Sequence, residues 1–72
     1  MNASISKNAQ DVVKSVVDGD VDFDLTLMNA GGDSFSAVSI SDRLYRECGL
    51  SVSPESLLTE GTLNSVIGQA EA

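Results

Sequence analysis

Asp33-Ser34-Phe35-Ser36-Ala37-Val38-Ser39-Ile40-Ser41-Asp42-Arg43-Leu44-Tyr45-Arg46-Glu47-Cys48-Gly49 is the segment on which the fold turns. Ala37, Ile40, Leu44 and Cys48 recur at steps of three and four, the period of one helix face. Asp33 is a natural N-cap, because its short carboxylate can accept from the unpaired N–H groups of a first helical turn. Gly49 stands where a left-handed residue ends a helix. The spacing therefore predicts a helix that begins at Asp33-Ser34 and stops at Gly49. Phe35, Val38 and Tyr45 fall on a second apolar side, about 100° away around the axis. One small core cannot cover both stripes, so this second side is either packed under a loop or offered to a partner.

Upstream, Ile5, Ala9, Val12, Val13, Val16 and Val17 make one apolar stripe, with Lys7, Gln10, Asp11, Lys14 and Ser15 opposite. That pattern predicts a helix from about Ser4 to Asp18, with Gly19 as its left-handed stop. Between Gly19 and Asp33 the period is lost. Asp18, Asp20, Asp22 and Asp24 alternate with Gly19, Val21 and Phe23, and Leu25, Leu27 and Met28 follow. No second strand signal exists to pair with this alternation, so the segment reads as a long loop pinned by Phe23, Leu25 and Leu27. A connection of this length in so small a domain is a candidate functional element. Downstream, Ser53-Pro54-Glu55 predicts a short helix running to about Leu58 and stopped near Gly61. Thr62 then caps a last helix in which Leu63, Val66, Ile67 and Ala70 face inward. The expectation is an all-α single domain over residues 1–72, with three main helices and one short one.

At 72 residues the chain makes one domain at most, and its 42% apolar content is too high for a disordered segment. Eleven acids against four bases give a formal charge of -7, which opposes binding to nucleic acid or anionic lipid. No apolar run reaches membrane-spanning length, and Met1–Lys7 holds no hydrophobic signal core, which predicts a cytoplasmic protein without a membrane partner. The single cysteine, Cys48, has no partner for an internal disulfide and reads as a small core hydrophobe. The chain contains no histidine, which excludes Ser-His-Asp and Cys-His catalysis and histidine-based zinc sites. The four loop aspartates do not make a calcium loop. The two possible registers would need glycine at Phe23 or Leu25 and an acid at Asn29 or Gly31, so a solvated acidic loop with no metal site is expected. On the predicted second helix, Asp42 and Glu47 are balanced by Arg43 and Arg46.

Gly31-Gly32-Asp33-Ser34 carries the chemistry. Two glycines allow positive φ and let another group approach the backbone. Ser34 falls in the first turn of a helix, where unpaired N–H groups and the helix dipole favour an anion such as a phosphate ester. The charge of Asp33 opposes a phosphate there, unless the carboxylate is used as a cap or shares a divalent ion during phosphate transfer. No Gly-Lys-Ser/Thr follows the glycines, which excludes a phosphate-cradling P-loop.

Taken with its flanks, Leu27-Met28-Asn29-Ala30-Gly31-Gly32-Asp33-Ser34-Phe35-Ser36-Ala37-Val38, followed by Leu44, Gly49, Val52, Leu57-Leu58 and Thr62-Leu63, resembles the carrier-protein superfamily. These are the acyl and peptidyl carriers of fatty acid, polyketide and nonribosomal peptide assembly. The resemblance implies a four-helix bundle of acyl-carrier-protein type that is not itself an enzyme. It implies that Ser34, within the Gly31, Gly32 and Asp33 motif, receives a 4′-phosphopantetheine arm from coenzyme A. A separate phosphopantetheinyl transferase, with magnesium, supplies the catalysis, and the arm's thiol holds cargo as a thioester. Phe35, Val38 and Tyr45 become a docking patch for adenylation, condensation, thioesterase or polyketide synthase domains on a monomeric carrier. The Gly-Gly-Asp-Ser form and the balanced helix charges look more like the thiolation domains of nonribosomal peptide synthetases. Ala30, where a larger apolar residue is common, and Gly61, where proline usually precedes the threonine, depart from that subtype. An acyl carrier of polyketide or fatty acid synthesis and an unmodified helical interaction module are the alternatives.

Overall fold

A computed structural model describes residues 5–71. These residues form three α-helices, α1 (Lys7–Val17), α2 (Ser34–Cys48) and α3 (Leu63–Glu71), with a π-helical turn over Ser56–Glu60 before α3. No strand occurs among the described residues. This is the small all-α bundle, three main helices and one short one, that the sequence predicts. Its core is wholly apolar among those residues. Ile5, Ala9, Val12 and Val13 come from the α1 side, Ala37, Ile40 and Leu44 from α2, and Leu27, Leu57, Leu63 and Ile67 from the loop, the π turn and α3.

The helix ends follow local chemistry. The Ser6 hydroxyl accepts from the Ala9 N–H at 3.3 Å and caps α1, while the expected start at Ser4 lies outside the described residues. The stop comes one residue earlier than Gly19. Asp18 itself takes the left-handed conformation (φ 65°), and its N–H donates to the Lys14 carbonyl at 2.9 Å. Aspartate is among the few residues besides glycine that visit this region at modest cost. Gly49 closes α2 as predicted, at φ 70°, with its N–H directed to the Leu44 and Tyr45 carbonyls. Thr62 Oγ1 accepts from the Ser65 N–H at 3.0 Å and caps α3, in which Leu63 and Ile67 are buried and Val66 and Ala70 half-buried. Cys48 is half-buried against the edge of the core rather than inside it, and burial pushes its thiol pKa up.

The long loop is fastened by backbone rather than by side chains alone. The N–H groups of Leu27 and Met28 donate to the carbonyls of Leu57 (3.0 Å) and Leu58 (3.2 Å). Those of Leu63 and Asn64 donate to the carbonyls of Leu25 and Phe23, both at 2.9 Å. The π turn makes the first pair possible. Gly61 N–H reaches back five residues to the Ser56 carbonyl at 3.3 Å, so the Leu57 carbonyl, which an α-turn would have consumed, is left for Leu27. The expected short helix ending near Leu58 is accordingly longer and wider. Ser53 contributes its carbonyl to the Leu57 N–H at 3.2 Å, and its side chain makes no cap bond among the described residues. Leu27 is fully buried and Phe23 half-buried, as expected of pins, but Leu25 is 37% exposed. The turn closed by Leu25 N–H on the Asp22 carbonyl swings that side chain outward.

Two polar contacts tie α2 to its neighbours. Arg43 Nη1 donates to Ser15 Oγ of α1 at 2.9 Å, and Ser41 Oγ donates to the Val52 carbonyl at 2.5 Å. The dominant stabilisation is apolar. Leu44→Ala, at a fully buried position, is expected to destabilise the domain by about 2–5 kcal/mol in urea unfolding. An unchanged unfolding midpoint would place Leu44 outside the core.

Candidate functional site

The site lies where the loop hands over to α2. Asp33 is extended (φ -136°) and caps the helix, its Oδ1 accepting from the Ser36 N–H at 2.9 Å and from the Ser36 hydroxyl at 3.1 Å. These bonds, the backbone one foremost, hold the carboxyl below its ordinary value of 3.8. Ser34 is the first residue of α2 and is exposed. Its hydroxyl makes no hydrogen bond among the described residues, while the unpaired N–H groups of the first turn lie beside it. Gly31 adopts φ 103°, which a side chain rarely tolerates, and the Gly32 N–H donates to the Leu27 carbonyl at 2.9 Å. Gly31, Gly32, Asp33 and Ser34 therefore form one continuous turn into the helix. An exposed primary hydroxyl without a partner at a helix N-terminus can carry a phosphate ester, whose charge the orphan N–H groups and the dipole offset.

An almost wholly apolar groove of ≈ 180 Å³ starts at Ser34 and runs over Ala37, Val38, Pro54 and Leu58, with Glu55 at its edge. On the other side of Val38, a wider notch of ≈ 510 Å³ lies between Asp42 and Tyr45 of α2 and the Ser51–Pro54 segment. Phe35, Val38 and Tyr45 are 86%, 57% and 65% exposed, so the loop does not cover them. Met28, to which the sequence reading gave no direction, is 53% exposed, with its N–H bonded to Leu58 at the groove. The available signal was adjacency: in the tight turn of residues 26–30, Leu27 and Met28 cannot both face one core.

The charges of α2 cancel on its own surface. Arg43 pairs with Glu47 and Arg46 with Asp42, each at 2.8 Å and four residues apart. The Arg43 hydrogen bond holds the Glu47 carboxyl below its ordinary value. Such exposed pairs add little stability, but they leave the apolar residues as the distinguishing feature of the helix. The loop aspartates act locally: Asp22 Oδ1 accepts from the Asp24 N–H at 2.9 Å, and Asp24 Oδ1 from Asn64 Nδ2 at 3.1 Å. Among the described residues no helix is long and apolar enough to cross a membrane.

The family described as phosphopantetheine attachment site matches residues 6–69, which is nearly the whole chain. The chain belongs to this family of phosphopantetheine-binding carrier domains, whose members hold 4′-phosphopantetheine covalently. Such domains are not catalytic themselves and interact with a phosphopantetheinyl transferase and with catalytic partner enzymes. Neither a search of curated proteins nor one of solved structures gave a significant match.

The Asp33 cap generates a pH signature. A carboxyl whose pKa is lowered by folding contributes stability that is present above the unfolded value of 3.8 and fades as pH falls through the lower folded value. Asparagine caps about as well without titrating there. The stability difference between the parent and Asp33→Asn is therefore expected to be flat above about pH 5 and to turn against the parent as pH drops toward 3. Urea unfolding across that range measures it, and a pH-independent difference would contradict the cap.

Proposed function

We propose that Ser34 is the residue that takes the phosphopantetheine arm and that residues 1–72 act as one carrier domain of the peptidyl (thiolation) type. The observation that carries this reading is the exposed, unpartnered Ser34 hydroxyl at the first turn of α2. The surrounding residues fit the group. Gly31 leaves the backbone open to approach, the first-turn N–H groups lie beside the hydroxyl that would carry the ester, and Ser34 itself lines the apolar groove over Ala37, Val38, Pro54 and Leu58. No histidine exists to deprotonate Ser34, and Asp33 is engaged by Ser36, so a base on the transferase removes the hydroxyl proton. When attached, the arm supplies a terminal thiol that holds cargo as a thioester for partner enzymes.

The peptidyl subtype is supported by the internally paired charges of α2, which leave Phe35, Val38 and Tyr45 as the surface that adenylation, condensation or thioesterase domains recognise. Ala30 and Gly61 favour the second reading, an acyl carrier of polyketide or fatty acid assembly. A monomeric, cytoplasmic domain completes the proposal. The formal charge of -7 supports the absence of nucleic-acid and membrane partners.

Incubation with coenzyme A and a promiscuous transferase is expected to add one phosphopantetheine to the parent and none to Ser34→Ala, read by intact mass. No addition to a folded parent would leave an unmodified interaction module. Loading by an aminoacyl-adenylating domain rather than an acyltransferase would establish the peptidyl subtype. Val38→Asp should lower turnover by a cognate partner about tenfold, because it buries an unpaired charge at the contact, with the thermal midpoint and modification of Ser34 retained. Unchanged turnover would remove Val38 from the docking surface.

A further inference from the structure

We infer that Leu27, through its contact with Gly32, sets the position of Ser34, and that Leu27 is therefore a positioning residue for transfer of the arm. This rests on the reading that Ser34 takes that arm. Gly31 and Gly32 are glycines for opposite reasons. A Cβ on Gly31 would meet nothing within 4 Å, and only its φ of 103° demands glycine. A Cβ on Gly32 would lie 2.6 Å from both Cγ and Cδ1 of Leu27 and 3.2 Å from the Leu27 carbonyl oxygen. Carbon atoms do not pack at that first separation, so the leucine occupies the space of the missing methyl.

Leu27 has little freedom to give way. Its side chain is fully buried, its N–H is bonded to the Leu57 carbonyl at 3.0 Å, and its own carbonyl accepts from Ala30 at 3.1 Å and Gly32 at 2.9 Å. Only Asp33 separates Gly32 from Ser34, and the Asp33 carboxylate is held by Ser36. Farther along, Ala37, Ile40 and Leu44 fix α2 in the core. A group forced in at Gly32 therefore displaces the turn that presents the Ser34 hydroxyl, while Phe35, Val38 and Tyr45 stay where a partner meets them.

The carrier is the transferase's substrate, which makes positioning separable from folding. A partly unfolded carrier lowers the effective substrate concentration, so the apparent KM rises and kcat holds. A displaced hydroxyl on a docked carrier lowers kcat and leaves KM unchanged. Gly32→Ala is expected to lower kcat about 10- to 100-fold at constant KM, the effect of misplacing a reacting atom by about 1 Å. Adding Leu27→Ala, which removes both offending carbons, should restore part of kcat in protein shown to be folded by circular dichroism. If Gly32→Ala does not fold, Leu27→Val carries the test: it keeps the position apolar, withdraws the Cδ contact, and should lower kcat in the same way. Unchanged kcat, or a rise in KM alone, overturns the inference while modification of the parent at Ser34 stands. A folded parent that accepts no arm at Ser34 overturns the proposed function, and the inference falls with it.

Discussion

The hydrogen bonds from the Leu27 and Met28 N–H groups to the Leu57 and Leu58 carbonyls are the constraint on which the rest of the structure depends. A long irregular connection in a small domain must satisfy its own backbone polar groups, or burying any part of it is prohibitively costly. Here the demand is met from outside the loop, by carbonyls released where Ser56–Glu60 widens into a π turn. The loop can then bury Leu27 in the shared core, and the chain arrives at Gly32 in a fixed place. α1 and α3 contribute apolar mass to this arrangement, but the loop and the π turn give it direction.

The same constraint divides the surface. Once Leu27 points inward, Met28 must point out, and it joins Phe35, Val38 and Tyr45 among the exposed large apolar residues. Exposed apolar groups scattered singly need no explanation, but these belong to the loop and helix that meet at Ser34. The ion pairs Arg43–Glu47 and Arg46–Asp42 matter here for what they remove. They cancel the net charge along α2, so its exposed apolar residues are what distinguishes that surface.

Much of this was legible from the residues. Asp33, Gly49 and Thr62 act as caps because capping depends on groups within a few positions of one another. The inward stripes of the helices follow from a 3.6-residue period. What escaped depends on contacts between distant parts of the chain. Nothing local says that Ser56–Glu60 will widen, because the gain comes from Leu27 and Met28, some thirty positions upstream in sequence. Leu25 and Leu27 are equally apolar, and only the turn closed on Asp22 decides which one is buried. Asp18 took the left-handed stop expected of Gly19, a choice that two neighbouring permissive residues leave open. In the site, the Gly31-Gly32-Asp33-Ser34 turn was readable as a motif, but the different duties of its two glycines were not, since one answers to φ and the other to a leucine five residues back.

The position of Asp33 resolves a tension in the motif. A carboxylate one residue before a phosphate ester on Ser34 would repel it if the two faced each other. In the structure Oδ1 is turned into the helix, where the N–H and hydroxyl of Ser36 already answer its charge and keep it ionised. The remaining first-turn N–H groups stay available to an ester on Ser34, because the cap takes only one backbone donor. Removing the side-chain acceptor, as in Asp33→Ala, would therefore relieve little repulsion and would release the Ser36 N–H, loosening the turn that presents the serine. A charge at Asp33 and an ester at Ser34 would be compatible because Ser36 answers the carboxylate in the hydrogen-bond pattern, although it follows both in sequence.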